Sequence, residues 1–107
     1  MTSWDSIRSK DAAEACCKDG RLAKALLLPK ELGGQGIPEN TVYIPASIMG
    51  KKEQSTRELM DIVRRNLANQ VSVTPEYRGD SFVPARICIS AWCDDKPKAY
   101  DLVIDVW

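Results

Sequence analysis

The stretch FVPARICISAWC, residues 82–93, alternates apolar side chains with polar or larger ones along most of its length. Alternation with a period of two is typical of a β-strand that buries one face and exposes the other. The side chains expected to face the core are Val83, Ala85, Ile87, Ile89 and Ala91. Those expected on the outer face are Arg86, Cys88, Ser90 and Trp92. The stretch therefore predicts a strand that covers an apolar core.

Two neighbouring stretches show the same alternation: QVSVTPEY at 70–77 and AYDLVIDVW at 99–107, with Trp107 on the outer face. The segments between the three stretches, RGDS and DDKPK, have the composition of turns. Three consecutive strands joined by short turns predict an antiparallel meander packed on a helix. Pro75 and Pro84 lack a backbone N–H, so we expect them at edges or bulges.

Residues 46–68 predict that helix, with its regular part starting near Lys51 because Gly50 precedes it. Its apolar side chains recur at helical spacing, and its charged side chains alternate in sign at i,i+4. The apolar stripe comprises Ile48, Leu59, Ile62, Val63 and Leu67. The charged ladder comprises Glu53, Arg57, Asp61 and Arg65.

The N-terminal part predicts a short helix over residues 3–18, in which Thr2 and Asp5 have capping-box spacing and Trp4 and Ile7 share a face. For RLAKALLL at 21–28, periodicity does not separate strand from helix, although its length and the following proline favour a buried strand. TVYIP at 41–45 predicts a short strand. The predicted fold is α+β, a single domain over 1–107. An antiparallel sheet, made of the C-terminal meander and one or two N-terminal strands, packs on the long helix.

The charge balance and the missing histidine exclude several functions. Fifteen basic and fifteen acidic residues give a formal net charge of zero, which disfavours non-specific binding to nucleic acid. Without histidine there is no Ser-His or Cys-His nucleophile and no histidine metal site. The chain also lacks a signal-like N-terminus and any run of about 18 apolar residues, so we expect a cytoplasmic protein without a membrane partner.

The four cysteines do not have the spacing of a metal site. Cys16 and Cys17 are adjacent, and four residues separate Cys88 from Cys93, so neither pair is a CxxC. We expect them to be reduced and to act as small apolar side chains. The sequence predicts no metal and no cofactor.

The loop KELGGQGIPEN, residues 30–40, has the glycine content of a phosphate-binding loop but not the spacing. The only Gly-Lys pair, at 50–51, lacks the other P-loop residues, and Glu39 stands where a dinucleotide fingerprint needs glycine. We therefore interpret Gly33, Gly34 and Gly36 as residues with positive φ in a bend that returns TVYIP beside the preceding strand. Asn40 belongs to the same structural loop.

The order of several short motifs resembles DNA/RNA non-specific endonuclease domains at the ends of bacterial toxins, of the ββα-metal (His-Me finger) type. The matching motifs are LGGQG at 32–36, NTV at 40–42 with Pro45, and YRGDSFVP at 77–84. The resemblance covers residues 20 to about 92. It implies a strand-hairpin and helix core, and in those nucleases a histidine activates water and a helix asparagine holds the metal ion.

This sequence departs from the family at both catalytic positions. Arg21 follows Gly20 where the family has histidine, and the helix segment that should carry the asparagine reads MGKKEQ, residues 49–54. A guanidinium stays protonated and a lysine cation repels a divalent metal. The resemblance therefore implies a nuclease-like scaffold without its catalytic groups, and we expect that the protein is not an enzyme.

The expected function is that of a non-catalytic protein-binding module, an immunity or antitoxin-like partner of a bacterial toxin. Carboxylates on turns and aromatic side chains on the outer face are the side chains expected to contact that partner. They are Glu76, Asp80, Asp94, Asp95, Trp92 and Trp107. The acids could equally be solvated turn residues, and the tryptophans could pack on the N-terminal helix.

Two other functions remain open at the sequence level. The C-terminal LVIDVW could form an exposed edge strand, so the protein could be a structural or adaptor protein that forms a homodimer. A hydrolase using Glu39 with Asp80 is the other alternative, although the two acids lack a paired spacing.

Overall fold

The computed structural model describes residues 4–107, which form two α-helices and five β-strands. In chain order the elements are α1 Lys10–Lys18, β1 Leu22–Leu26, β2 Thr41–Pro45, α2 Met49–Arg64, β3 Gln70–Tyr77, β4 Pro84–Trp92 and β5 Lys98–Asp105. Single 3-10 turns precede β2 and α2. The α+β class predicted from the sequence is confirmed.

The C-terminal strands form the predicted antiparallel meander in the order β3-β4-β5. The five side chains of 82–93 expected to face the core are all buried. Pro75 lies on the edge strand β3, and Pro84 opens β4 beside a shift in register. Both prolines therefore lie at an edge or an irregularity of the sheet, where a missing backbone N–H is tolerated, as predicted.

The two N-terminal strands pair with each other and form a separate antiparallel sheet. The strand interpretation of 21–28 is thus confirmed for Leu22–Leu26. The two faces of this hairpin contact different parts of the core. On β2, Val42 and Ile44 join the larger apolar cluster and Tyr43 joins the smaller one.

The larger cluster lies between the hairpin, α2 and the meander, with Leu59, Ile87 and Ile89 at its centre. The smaller cluster joins Trp4 and α1 to the other face of the hairpin and to Val83. Burial of these side chains is the main driving force for the arrangement, at about 25 cal/mol per Å² of apolar surface. The hairpin is therefore the layer that both clusters share.

The long helix runs for 16 residues and ends at Arg64. Leu59 and Ile48 are buried as predicted, and Arg65 pairs with Asp61 at 3.5 Å. Leu67 is exposed, contrary to the prediction, because it follows the end of the helix and no longer lies on its apolar stripe. Lys52, which the prediction left off the stripe, is buried.

The first helix begins later than predicted. Ser9 caps α1, since its Oγ accepts a hydrogen bond from the amide of Ala12 at 3.1 Å. Trp4 and Asp5 therefore precede the helix, which is capped by Ser9 and not at the predicted N-terminus. Thr2 lies outside the described residues. Trp4 is nevertheless buried in the smaller cluster together with side chains of α1.

The glycine loop is a bend between β1 and β2, and its three glycines differ in backbone conformation and in surroundings. Gly33 has φ of +94°, whereas Gly34 and Gly36 do not have positive φ, contrary to the prediction. A Cβ on Gly34 would collide with the carbonyl of Leu28, so this position needs glycine for close approach of two backbone segments. Asn40 closes the bend with side-chain hydrogen bonds to the backbone of Leu28 and Gln35.

Within residues 4–107 no helix is long and apolar enough to span a bilayer.

Candidate functional site

A cleft of about 630 Å³ opens between the start of α1, the hairpin and the turn that joins β3 to β4. We call it the aromatic cleft. Its lining includes Lys10 of α1, Lys24 and Tyr43 of the hairpin, and Tyr77, Asp80 and Phe82 of the turn region. Its volume lies within the range of about 300–1,000 Å³ that is usual for ligand sites.

The turn beside the cleft is anchored to the N-terminal segment. Ser81 is buried, and its hydroxyl donates to the carbonyl of Trp4 at 2.7 Å and accepts from the amide of Val83 at 3.1 Å. The amide of Phe82 donates to the carbonyl of Ile7 at 2.7 Å. These bonds fix the turn backbone, yet the side chains of Tyr77 and Phe82 remain 47% and 39% exposed.

On the opposite wall of the cleft, the side chains of Lys24 and Tyr43 both bond one carboxylate oxygen of Glu14. Glu14 Oε1 accepts a hydrogen bond from the Tyr43 hydroxyl at 2.8 Å and lies 2.7 Å from Lys24 Nζ. The bonds from Lys24 and then Tyr43 lower the pKa of Glu14, and the bond to Glu14 raises the pKa of Lys24. Burial, followed by the bond to Glu14, raises the pKa of Tyr43. At neutral pH the wall therefore presents the ammonium of Lys24 and the phenol of Tyr43, both held by the carboxylate of Glu14.

A second and smaller cavity, of about 340 Å³, lies between the end of β1, residues 29–31 and the first turns of α2. We call it the lysine groove, since Lys52 lines it. Lys52 is only 4% exposed, and its Nζ donates to the carbonyl of Leu27 at 3.1 Å. Burial lowers the pKa of Lys52, and the nearby charge of Glu31 partly opposes this.

The two positions at which the sequence departs from the nuclease motif lie near opposite ends of β1. Arg21 is exposed and bonds Asp19 at 3.0 Å, before the start of β1. Lys52 contacts Leu27, beyond the other end of the same strand. Nor does the described part of the chain contain a group of three cysteine, aspartate or glutamate side chains able to hold a metal ion.

The predicted partner-binding residues lie near both turns of the meander. Asp80 lines the aromatic cleft, while Asp94, Asp95 and Trp92 lie at or beyond the far end of β4. In a meander the two turns lie at opposite ends of the middle strand, here nine residues long, which separates the groups by roughly 25 Å. The predicted contact residues therefore lie at the two ends of the meander and form no compact cluster.

Two other predicted residues have local partners. Glu76, on the outer face of the meander, lies 3.9 Å from the guanidinium of Arg86 and accepts from the thiol of Cys88 at 3.2 Å. Trp107 packs on the smaller apolar cluster, and its Nε1 donates to the carbonyl of Val83 at 2.9 Å. For Trp107 the structure thus favours the packing alternative. Within residues 4–107 all four cysteines are free thiols, with Cys16 buried.

Apart from Asp80 and Gly36, the residues that line the two cavities were not identified as site residues from the sequence. Tyr77 and Phe82 flank the polar turn RGDS, and large apolar side chains beside a turn are a signal that could have marked them. Lys10, Lys24 and Lys52 carry no local signal, because only the fold brings them to a cavity. Glu39 is exposed and does not line the cleft with Asp80.

No family model, curated protein or solved structure matches the chain.

Proposed function

We propose that the protein is a non-catalytic protein-binding module, an immunity-like partner of a bacterial toxin, and that it binds through the aromatic cleft. The observation that carries the proposal is the concentration of exposed apolar side chains at this cleft. Among residues 4–107 the exposed large apolar side chains are Ile37, Leu67, Tyr77, Phe82 and Val103. Tyr77 and Phe82 line the cleft, and Ile37 stands between two lining residues.

Exposed aromatic side chains in a concave site are typical anchors of protein interfaces. Tyrosine is enriched among residues that contribute most to binding, and clustered apolar exposure on a small domain marks interaction sites. Lys10 and Asp80 place opposite charges in the same cleft, which suits a partner with polar groups around an apolar anchor.

The anchored turn supports binding by a preformed surface. The bonds of Ser81 to Trp4 and of Phe82 to Ile7 fix the backbone that carries the aromatic side chains. A site already ordered in the free protein loses less conformational entropy on association. This favours occlusion of a partner's surface over a mechanism that needs rearrangement.

We propose a protein without catalytic activity because Lys52 places a cation near the start of α2. The resemblance implies a helix that follows the glycine loop and the NTV segment, and α2 has that place in this chain. Lys52 of α2 is buried and presents positive charge at the start of this helix. A protonated amine repels a divalent cation and does not activate water.

Binding to the product of a neighbouring toxin gene, measured by calorimetry, tests the proposal. Combined substitution of Tyr77→Ser and Phe82→Ser should weaken binding at least about 30-fold, since two interface anchors together contribute roughly 2 kcal/mol or more. The control is Leu67→Ser with Val103→Ser, which removes equally exposed apolar side chains elsewhere. Equal losses in both double variants, or no binding by the wild type, would contradict the proposal.

Self-association is a second candidate, favoured by one observation. β5 is an edge strand, and Val103 on it is 48% exposed. Asp101 and Asp105 flank Val103 on the same face, and charges at an edge oppose strand addition. Light scattering separates the candidates: a dimer disrupted by Val103→Lys would favour self-association.

A further inference from the structure

Lys52 places an ammonium group in the protein interior beside the lysine groove. The side chain is only 4% exposed, and its Nζ donates to the carbonyl of Leu27 at 3.1 Å. An ammonium has three protons to donate and carries a full charge. Lysine is almost never this buried unless its charge is paired.

The described residues supply no ion-pair partner for that charge. None of the ion pairs in residues 4–107 involves Lys52. Glu31 and Glu53 line the groove, but neither bonds the buried amine. The first turn of α2 also contains no acidic residue, so the positive end of the helix adds to the charge of Lys52.

The rest of the lining favours a single negative charge on a partly apolar group. The lining has three cations and two carboxylates, so the groove carries a net charge of +1; these residues are Lys30, Lys52, Arg57, Glu31 and Glu53. A dianion such as phosphate would add repulsion from the two carboxylates.

The apolar lining also suits a ligand with a hydrocarbon part. Leu26, Pro29, Met49 and Met60 line the groove beside the charged side chains. The methylene groups of an aspartate or glutamate side chain would lie against this apolar surface while the carboxylate meets the amine.

We propose that the lysine groove binds a carboxylate group presented by a partner chain, with Lys52 as its counter-ion. The groove shares no lining residue with the aromatic cleft. The inference therefore goes beyond the proposed function, and each can fail while the other holds.

Thermal unfolding with added anions tests this inference. Sodium butyrate is the probe because it joins one carboxylate to an apolar chain, and sodium phosphate at the same ionic strength is the comparison. At about ten times its dissociation constant, butyrate should raise the Tm of the wild-type protein by about 5 °C. Lys52→Met should abolish the shift, whereas Lys51→Met, on the same helical turn but exposed, should keep it.

A second measurement does not depend on a folded Lys52→Met variant. An NMR titration of the lysine side chains in the wild type should show that butyrate raises the pKa of Lys52, since a bound anion favours the ammonium form. No shift in Tm and pKa, or an equal Tm shift in both variants, would overturn the proposal. A larger effect of phosphate would overturn the assignment to a carboxylate.

Discussion

Gly34 occupies the position where the glycine loop passes closest to residue 28. A Cβ there meets the backbone carbonyls of Leu28 and Pro29, whereas a Cβ on Gly36 meets nothing within 4 Å. Gly34→Ala should therefore lower the free energy of unfolding by about 3 kcal/mol, because backbone atoms must shift to make room. Gly36→Ala is the matched control and should change it by less than about 0.5 kcal/mol. Urea denaturation of the two variants measures both values; similar costs would contradict this account of the loop.

The hydrogen bonds with which Asn40 closes the bend require both the donor and the acceptor of its side-chain amide. Its Oδ1 accepts from the amide of Leu28 at 2.8 Å, and its Nδ2 donates to the carbonyls of Leu28 and Gln35, both at 3.0 Å. Asn40→Asp replaces the donor with an oxygen that faces two carbonyls, so we expect a loss of about 2 kcal/mol in stability. Asn69→Asp, at an exposed position, should cost less than about 0.5 kcal/mol. Equal denaturation midpoints for the two variants would refute the role of Asn40.

These two residues show what a sequence can reveal at this scale. Glycine spacing excluded the phosphate-binding motifs and predicted a bend, and the structure has that bend. The close approach at Gly34 was not predictable, since the colliding atoms belong to residues 28 and 29. The burial of Lys52 was hidden for the same reason, because its partner Leu27 is 25 positions away in the chain.

At the scale of elements, Glu14 joins α1 to the hairpin through Lys24 and Tyr43. Its pKa in the folded protein is lowered, so the native state binds fewer protons than the unfolded state below the ordinary pKa of about 4.3. The stabilisation is therefore complete above that pH and is lost as the pH falls through the folded value. The stability difference between wild type and Glu14→Gln should stay constant above about pH 5 and shrink as the pH falls from there toward about pH 2. Chemical denaturation across this range measures it, and a constant difference would be the contrary result.

The strands were predictable because each of them has one face on the core. The alternation in residues 82–93 predicted which side chains face the core, and all five of them are buried. The start of α1 was not predictable by the same reasoning. Trp4 is apolar, like a residue on the buried face of a helix, but it belongs to the segment that precedes α1. The helix itself is capped by Ser9. Tertiary packing of an irregular segment leaves no periodic signal.

At the scale of the whole molecule, the hairpin is the structural centre of the protein. One face contributes to the core shared with α2 and the meander, and the other contributes to the core shared with α1. The aromatic cleft and the lysine groove both border this hairpin and its loop. The predicted contact residues were distributed along the meander instead, because turn composition identifies exposed acids but does not show which turns share a surface.

The claim that this scaffold binds without catalysing is tested most directly by incubating the purified protein with plasmid DNA and with RNA in the presence of magnesium. Both nucleic acids should stay intact at a molar excess of protein, because by the proposed resemblance Arg21 and Lys52 replace the groups that activate water and hold the metal ion. Cleavage that requires magnesium and disappears on substitution of carboxylates in this chain would contradict it.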